Sequence, residues 1–169
     1  WYRKSAEGGY SKAQRELGRV CREGLYGEKR DVERAKEWYA KAANQGDALA
    51  SVSLESIRKF TNDLAVAKSA AKQGDIHAAR KALMMAVSEG DLETVQEMLN
   101  ASTNASMATV MNPAYVSMAV MRDKTAIAEM LIDSGIDLNA ATSSGLTVLH
   151  SAVLKGNMRI IELLLKRGA

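Results

Sequence analysis

Three side chains in this sequence have the chemistry for nucleophilic catalysis or metal binding: Cys21, His77 and His150. A catalytic thiol needs a base and an orienting group within reach, and zinc needs several His, Cys or carboxylate ligands at short spacing. Cys21 shares helical spacing with the apolar Leu17 and Val20, which predicts a buried and inert thiol. His77 begins a helical stretch that offers no second ligand at metal-binding spacing. The sequence therefore predicts no enzyme active site, no cofactor and no metal site.

A second group of side chains, Arg15, Arg19 and Arg22, has the spacing of one helical face. Residues at i, i+4 and i+7 lie on the same side of an α-helix. Guanidinium groups in such a row suit the carboxylates of an acidic partner protein, because each can form two parallel hydrogen bonds. The alternative is a solvated face whose charge is reduced by the neighbouring Glu16 and Glu23. The sequence leaves both interpretations open.

The helices that must position these residues repeat along the first part of the chain. Residues 1–13 match residues 38–50 at an offset of 37, and Trp, Tyr, Ala and Gly recur in register. Between the two copies, apolar residues at helical spacing are followed by a glycine turn. A second helix then begins near Asp31, a candidate N-cap. One repeat is therefore predicted to be a helix pair joined by a turn.

This spacing carries a family resemblance. The pattern AxxxLGxxxxxG starts at Ala13, and the later pattern positions are Asp31, Ala35, Trp38, Ala42, Ala43 and Gly46. The pattern resembles the Sel1-like repeat, whose units are helix pairs. Residues 51–80 look like a degenerate further copy, because the turn glycines are missing. The aromatic residues at the repeat starts are predicted to fill the core between repeats, with an aromatic recognition surface as the alternative: Trp1, Tyr2, Trp38 and Tyr39.

A different period, 33 residues, governs the second half of the chain. Leu149 corresponds to Val116 and to Leu83, so all three are predicted to be core positions. The segments SEGD, MRDK and LKGN are predicted turns between the helices of successive pairs. The second helices of the three pairs are predicted at 92–100, 125–134 and 158–167. A period of this length indicates a stacked repeat architecture.

The last copy carries GLTVLHSA from Gly145 where ankyrin repeats have GxTPLHxA, and DSGIDLNA stands before it at Asp133–Ala140. The second half of the chain therefore resembles the ankyrin family. The resemblance implies that His150 forms a structural hydrogen bond that joins adjacent loops.

Together these patterns predict an all-α fold, a continuous α-solenoid of helix–turn–helix repeats. Sel1-like repeats are expected at residues 1–80 and three ankyrin-type repeats at residues 81–169, with a shared helix near 77–87. The net charge of +3 does not by itself indicate a nucleic-acid partner. No apolar run has the length of a membrane-spanning helix. One cysteine leaves the compartment open between the cytoplasm and the bacterial periplasm.

Both resemblances imply a non-catalytic scaffold whose concave face binds one partner protein, with an acidic patch on that partner. The expected contact residues are the arginine row and a set near the ankyrin-type turns: Arg15, Arg19, Arg22, Ser88, Glu89, Val110, Met111, Pro113, Met121, Arg122, Ser143, Ser144, Leu146, Leu154 and Lys155. A concrete version is a bacterial immunity protein that inhibits a toxin enzyme, since Sel1-like repeats are similar to those beside secreted lipase effectors. The alternative is a host-directed bacterial effector or signalling adaptor that recruits a target to another domain.

Overall fold

The computed structural model of this chain describes residues 2–100, 110–142 and 145–169. Within these ranges the regular structure is helical and contains no strand, so the all-α prediction is confirmed. The ten helices described there are α1 (Tyr2–Glu7), α2 (Ser11–Glu23), α3 (Val32–Ala43), α4 (Ala48–Lys72), α5 (Ile76–Glu89), α6 (Leu92–Asn100), α7 (Pro113–Met121), α8 (Thr125–Asp133), α9 (Val148–Lys155) and α10 (Met158–Lys166).

The chain divides into two compact units, Trp1–Asp63 and Leu64–Ala169, which are called the N-terminal and the C-terminal unit. The boundary falls inside α4, a helix of 25 residues. No glycine occurs between Gly46 and Gly74, so this segment lacks the residue that most readily ends a helix. The predicted repeat boundary at residue 80, the shared helix near 77–87 and the continuity of the two arrays stay predictions.

The N-terminal unit is built around one apolar cluster that α1, α2, α3 and the first part of α4 share. The chain turns after α2 at Gly24, which has a φ of +67° and tolerates this left-handed conformation because it has no Cβ. Asp31 caps α3 by accepting a hydrogen bond from the N–H of Arg34 at 2.9 Å, which confirms the predicted N-cap. The small Gly18 faces the ring of Tyr39, so α2 and α3 approach closely.

The predicted aromatic core of this unit is only partly correct. Tyr39 is buried, and Trp38 is half-buried with the Lys41 ammonium 4.2 Å from its ring centre. Tyr2, which corresponds to Tyr39, is exposed, because no helix precedes it in the described chain to play the part that α2 plays for Tyr39. Trp1 lies outside the described residues.

The C-terminal unit contains three helix pairs in sequence: α5–α6, α7–α8 and α9–α10. First helices pack on first helices, α5 on α7 and α7 on α9, while second helices pack on second helices, α6 on α8 and α8 on α10. The predicted second helices are confirmed to within one residue at their C-terminal ends. Gly90 and Gly156 end α5 and α9 with positive φ values, and Asp123 adopts a φ of +57° in the corresponding turn.

The 33-residue period correctly identifies the core of this unit. Leu83 and Val116 are completely buried. Leu149, predicted at the same repeat position, is only half-buried. In the described chain, α9 and α10 lack a following helix pair of the kind that covers their predecessors. The prediction of a fully buried Leu149 is therefore wrong in this respect.

Candidate interaction surfaces

The arginine row of the N-terminal unit begins with a residue that has a structural role. One terminal nitrogen of Arg15 lies 3.0 Å from each carboxylate oxygen of Asp47. Asp47 also accepts a hydrogen bond from the N–H of Ala50 at 3.0 Å, so it caps the start of α4. The Asp47 side chain is only 8% exposed. Arg15 therefore ties α2 to α4.

The environment of Asp47 favours its charged form. Burial opposes ionisation, but the hydrogen bond from Ala50, the hydrogen bond from Arg15 and the positive charge of Arg15 outweigh it. Together they hold the pKa of Asp47 below its ordinary value. Removal of Arg15 would leave this carboxylate poorly compensated.

Arg19, the second residue of the arginine row, is also close to carboxylates. Arg19 Nε lies 3.0 Å from Glu16, and one terminal nitrogen lies 3.6 Å from Glu23. A hydrogen bond to Glu16, followed by the charges of Glu16 and Glu23, raises the pKa of Arg19. Arg22 is half-buried on the same helix. The spacing thus identified one helical face correctly, while the binding of an acidic partner there stays a prediction.

In the C-terminal unit, the expected contact residues differ in exposure. Met121, Arg122, Leu146, Leu154 and Lys155 are exposed, and Leu154 is 72% accessible. Half-buried members of the set are Ser88, Glu89, Met111 and Pro113. Ser143 and Ser144 lie outside the described residues. Val110 is buried, so its expected exposure is wrong, because its apolar side chain belongs to the core of this unit.

Met121 and Leu154 occupy equivalent positions, at the C-terminal ends of α7 and α9, which pack on each other. Beside them, Lys155 Nζ lies 2.8 Å from a carboxylate oxygen of Asp123 in the preceding turn. Sequence reasoning missed Met84, which is 49% exposed and lies one helical turn before Ser88. Met84 could have been found from its spacing, because it lies four residues before Ser88, and residues at i and i+4 share a helical face.

Two of the three side chains considered first for chemistry, Cys21 and His150, occupy structural positions, whereas His77 is exposed. Cys21 is buried in the N-terminal unit, and burial raises the pKa of its thiol. His150 Nδ1 accepts from the N–H of Thr147 at 3.2 Å and lies 2.9 Å from its hydroxyl oxygen. His150 is therefore a structural hydrogen-bond former, but the described partner is its own helix N-cap rather than the adjacent loop. Among the described residues, no three His, Cys, Asp or Glu side chains gather as a metal-binding group.

No helix within the described ranges combines the length and the apolar composition that crossing a membrane requires.

Comparison with known proteins matches both halves of the chain. Residues 83–169 match the family model of ankyrin repeats (3 copies), and residues 1–10 and 11–47 match that of the Sel1 repeat. Potassium channel AKT1 of Oryza sativa subsp. indica is 42% identical over 55 residues, which are 32% of this chain and 6% of the channel. Chitin synthase regulator SKT5 of Malassezia restricta is 38% identical over 61 residues, 36% of this chain and 4% of that protein. The chain thus spans only a small part of the curated relatives that it matches.

Proposed function

Because this chain belongs to the ankyrin repeat family and carries a Sel1 repeat at its N-terminus, it is a protein–protein interaction scaffold, and we propose that its partner is an enzyme that it inhibits. A chitin synthase regulator, which by its name acts on an enzyme, shares a similar stretch. The proposed version is a bacterial immunity protein against a toxin enzyme such as a secreted lipase effector. The similarity of its Sel1 repeat to repeats beside such effectors supports this version.

The observation that carries the proposal is the exposure of four large apolar side chains of the C-terminal unit, Met84, Met121, Leu146 and Leu154. Exposed Met and Leu side chains cost free energy in water, and they recur at surfaces that bind other proteins. Met121 and Leu154 repeat at one position of successive helix pairs, so a partner can contact both in the same way. Such desolvated apolar anchors contribute most of the binding energy of an interface.

The arginine row would serve a different purpose in this proposal. Arg19 and Arg22 would meet acidic groups of the partner and raise the association rate, an effect that salt screens. Arg15 is a poor site for a charge reversal, because a glutamate there would face Asp47 and destabilise the fold. Replacing Arg19 by glutamine is the cleaner test.

The experiment titrates a purified lipase effector with this chain and follows hydrolysis of a chromogenic ester. Inhibition is expected at about one chain per enzyme. Leu154→Asp should weaken inhibition by about tenfold or more, because it puts a charge where an apolar anchor is desolvated. Leu92→Asp is the matched control, since Leu92 is also an exposed leucine of the C-terminal unit, at 42%, but lies on α6, the second helix of its pair, whereas Leu154 lies on a first helix. Equal inhibition by both variants would refute the assigned surface.

One observation favours the alternative, a host-directed effector or signalling adaptor. The similar stretches occupy only 6% and 4% of two much longer relatives, in which such repeats accompany other regions. An adaptor would bind its target without changing the target's enzymatic activity. Tight binding to an enzyme whose ester hydrolysis continues unchanged would therefore favour the adaptor and contradict inhibition.

A further inference from the structure

The methionines of this chain are confined to its C-terminal unit. All nine lie between residues 84 and 158, and those that the structure describes differ widely in exposure. Met158, Met121 and Met84 are 64%, 50% and 49% exposed, whereas Met98 is only 7% exposed. A reagent in solution therefore reaches some of these side chains far more readily than others.

Met84 and Met121 lie on helices that pack on each other. Met84 is on α5 and Met121 ends α7. The 33-residue offset places Met84 level with Ser117, which is one helical turn before Met121. Because residues at i and i+4 share a helical face, the two methionines lie on the same side of the α5–α7 layer. Leu154 continues the row on α9, at the repeat position of Met121.

The residues next to these two methionines in the chain belong to the core instead. Leu83 on α5 and Val120 on α7 are completely buried. A change of polarity at Met84 or Met121 therefore alters the surface and leaves the buried packing in place. The same change at Met98 would put a polar group into the core.

The other group that oxidants attack, a thiol, is protected in this chain. Cys21 is the single cysteine, it is buried, and burial raises the pKa of its thiol. Because the thiolate is the reactive form, Cys21 should react slowly with a peroxide. The exposed thioethers are therefore the better targets for an oxidant.

We propose that Met84 and Met121 form an oxidation-sensitive switch that releases the bound enzyme from the C-terminal unit. The inference rests on the proposed function, because it concerns the regulation of the same surface. Hydrogen peroxide is the oxidant. The thioether sulfur attacks one peroxide oxygen, the O–O bond breaks, and an S=O bond forms while the second oxygen leaves as water after proton transfer. The sulfur loses two electrons and the peroxide gains them.

Each sulfoxide replaces an apolar anchor by a polar side chain. Its oxygen accepts hydrogen bonds from water in the free protein, and burial against an apolar partner surface removes those bonds at a cost in free energy. Leu154 has no sulfur, so its contact with the partner survives the oxidation. Binding should therefore weaken without being lost, and reduction of the sulfoxides should restore it.

The test treats the purified chain with hydrogen peroxide, removes the peroxide with catalase, and then titrates a lipase effector that was never oxidised. Peptide mapping by mass spectrometry follows each methionine, and Met84 and Met121 should gain an oxygen well before Met98. Inhibition should weaken by about tenfold, because two anchors become polar, while the helical circular-dichroism signal stays unchanged. Methionine sulfoxide reductases should restore the inhibition.

Leucine in place of both methionines separates these two positions from the other methionines. Each variant is compared with its own untreated form, so the comparison does not depend on the starting strength of inhibition. Met84→Leu combined with Met121→Leu should lose no more than about twofold on treatment, because leucine has no sulfur to oxidise. Met158→Leu is the matched control, since Met158 is the most exposed of the described methionines but begins α10, a second helix. It should lose as much inhibition as the unaltered chain.

The possible outcomes separate this inference from the proposed function. An untreated chain that fails to inhibit the effector would refute the proposed function and, with it, the release of the enzyme. Undiminished inhibition by a chain whose Met84 and Met121 are fully oxidised would overturn the switch alone. A loss of inhibition that persists in the leucine double variant, or that accompanies a loss of helical signal, would also overturn it, because the sensitivity would then lie elsewhere in the fold.

Discussion

Replacing Gly18 by alanine would test how closely α2 and α3 approach each other. A Cβ atom at Gly18 would lie 3.0 Å from Cδ1 and Cε1 of Tyr39 and 3.1 Å from its Cγ. Nonbonded carbon atoms prefer separations of about 3.5–4.0 Å. The Tyr39 side chain is only 3% exposed, so the ring has little freedom to move away.

Two opposing effects decide whether Gly18→Ala raises or lowers the free energy of unfolding. Alanine is favoured over glycine in a helix interior by roughly 0.5–1 kcal/mol. An extra carbon in a well-packed core costs roughly 1–3 kcal/mol. Because the contact is with a ring confined on several sides, the packing cost should exceed the helix gain. We expect Gly18→Ala to lower the free energy of unfolding by about 1 kcal/mol.

Urea unfolding followed by tryptophan fluorescence measures this change, since Trp1 and Trp38 both belong to the N-terminal unit. The same substitution in a Tyr39→Leu background should become stabilising by roughly 0.5–1 kcal/mol, because the clash is gone and the helix preference remains. Tyr39→Phe keeps the ring and serves as the control in which alanine stays unfavourable. A stabilising Gly18→Ala in the otherwise unaltered chain would refute the close approach of the two helices.

Other predictions concern both units. Leu83→Ala should lower the free energy of unfolding by about 2–5 kcal/mol, because it leaves a cavity at a fully buried site. Leu149→Ala should lower it by only about 1 kcal/mol, because the Leu149 side chain is already half exposed. Equal losses of free energy in urea unfolding would contradict this difference in exposure. Because the pKa of Asp47 is lowered in the fold, its stabilising contribution is present above about pH 4 and is lost as the pH falls through the folded value. Asp47→Asn should therefore flatten the acid side of the stability profile, and an unchanged profile would count against this ion pair. Cys21 should react with a thiol reagent only after unfolding, and rapid modification of the native chain would show that the thiol is accessible.

Periodicity predicted the helix pairs of the C-terminal unit well, because each copy confirms the others. The helix predicted at 92–100 coincides with α6, because the turn at Gly90 marks where α6 can start. The helix ends in the degenerate segment from residue 51 are harder to predict from the sequence. The absence of a turn glycine favours a continuous helix, but other residues can also end a helix. The structure shows that α4 continues to Lys72.

The candidate surfaces could be predicted less completely, because spacing identifies a face and not what covers it. The arginine spacing gave the correct helical face, but Asp47 lies 32 residues from Arg15, and only the fold brings them together. For the same reason, the repeat position of Leu149 predicted a core residue without revealing that its outer side is uncovered. The repeat position of Tyr2 likewise predicted a core residue without revealing that no helix of the described chain covers its ring as α2 covers the ring of Tyr39.

The neighbour-only packing of the helix pairs in the C-terminal unit has a consequence for protein synthesis. α7 packs on α5 and α8, and the same arrangement recurs one pair later, so most contacts join residues within about two repeats. Folding rates rise as the sequence distance between contacting residues falls. We therefore expect each pair that leaves the ribosome to dock on the pair synthesised before it. The addition or loss of one 33-residue module during evolution would likewise change the contacts of the adjacent pairs only.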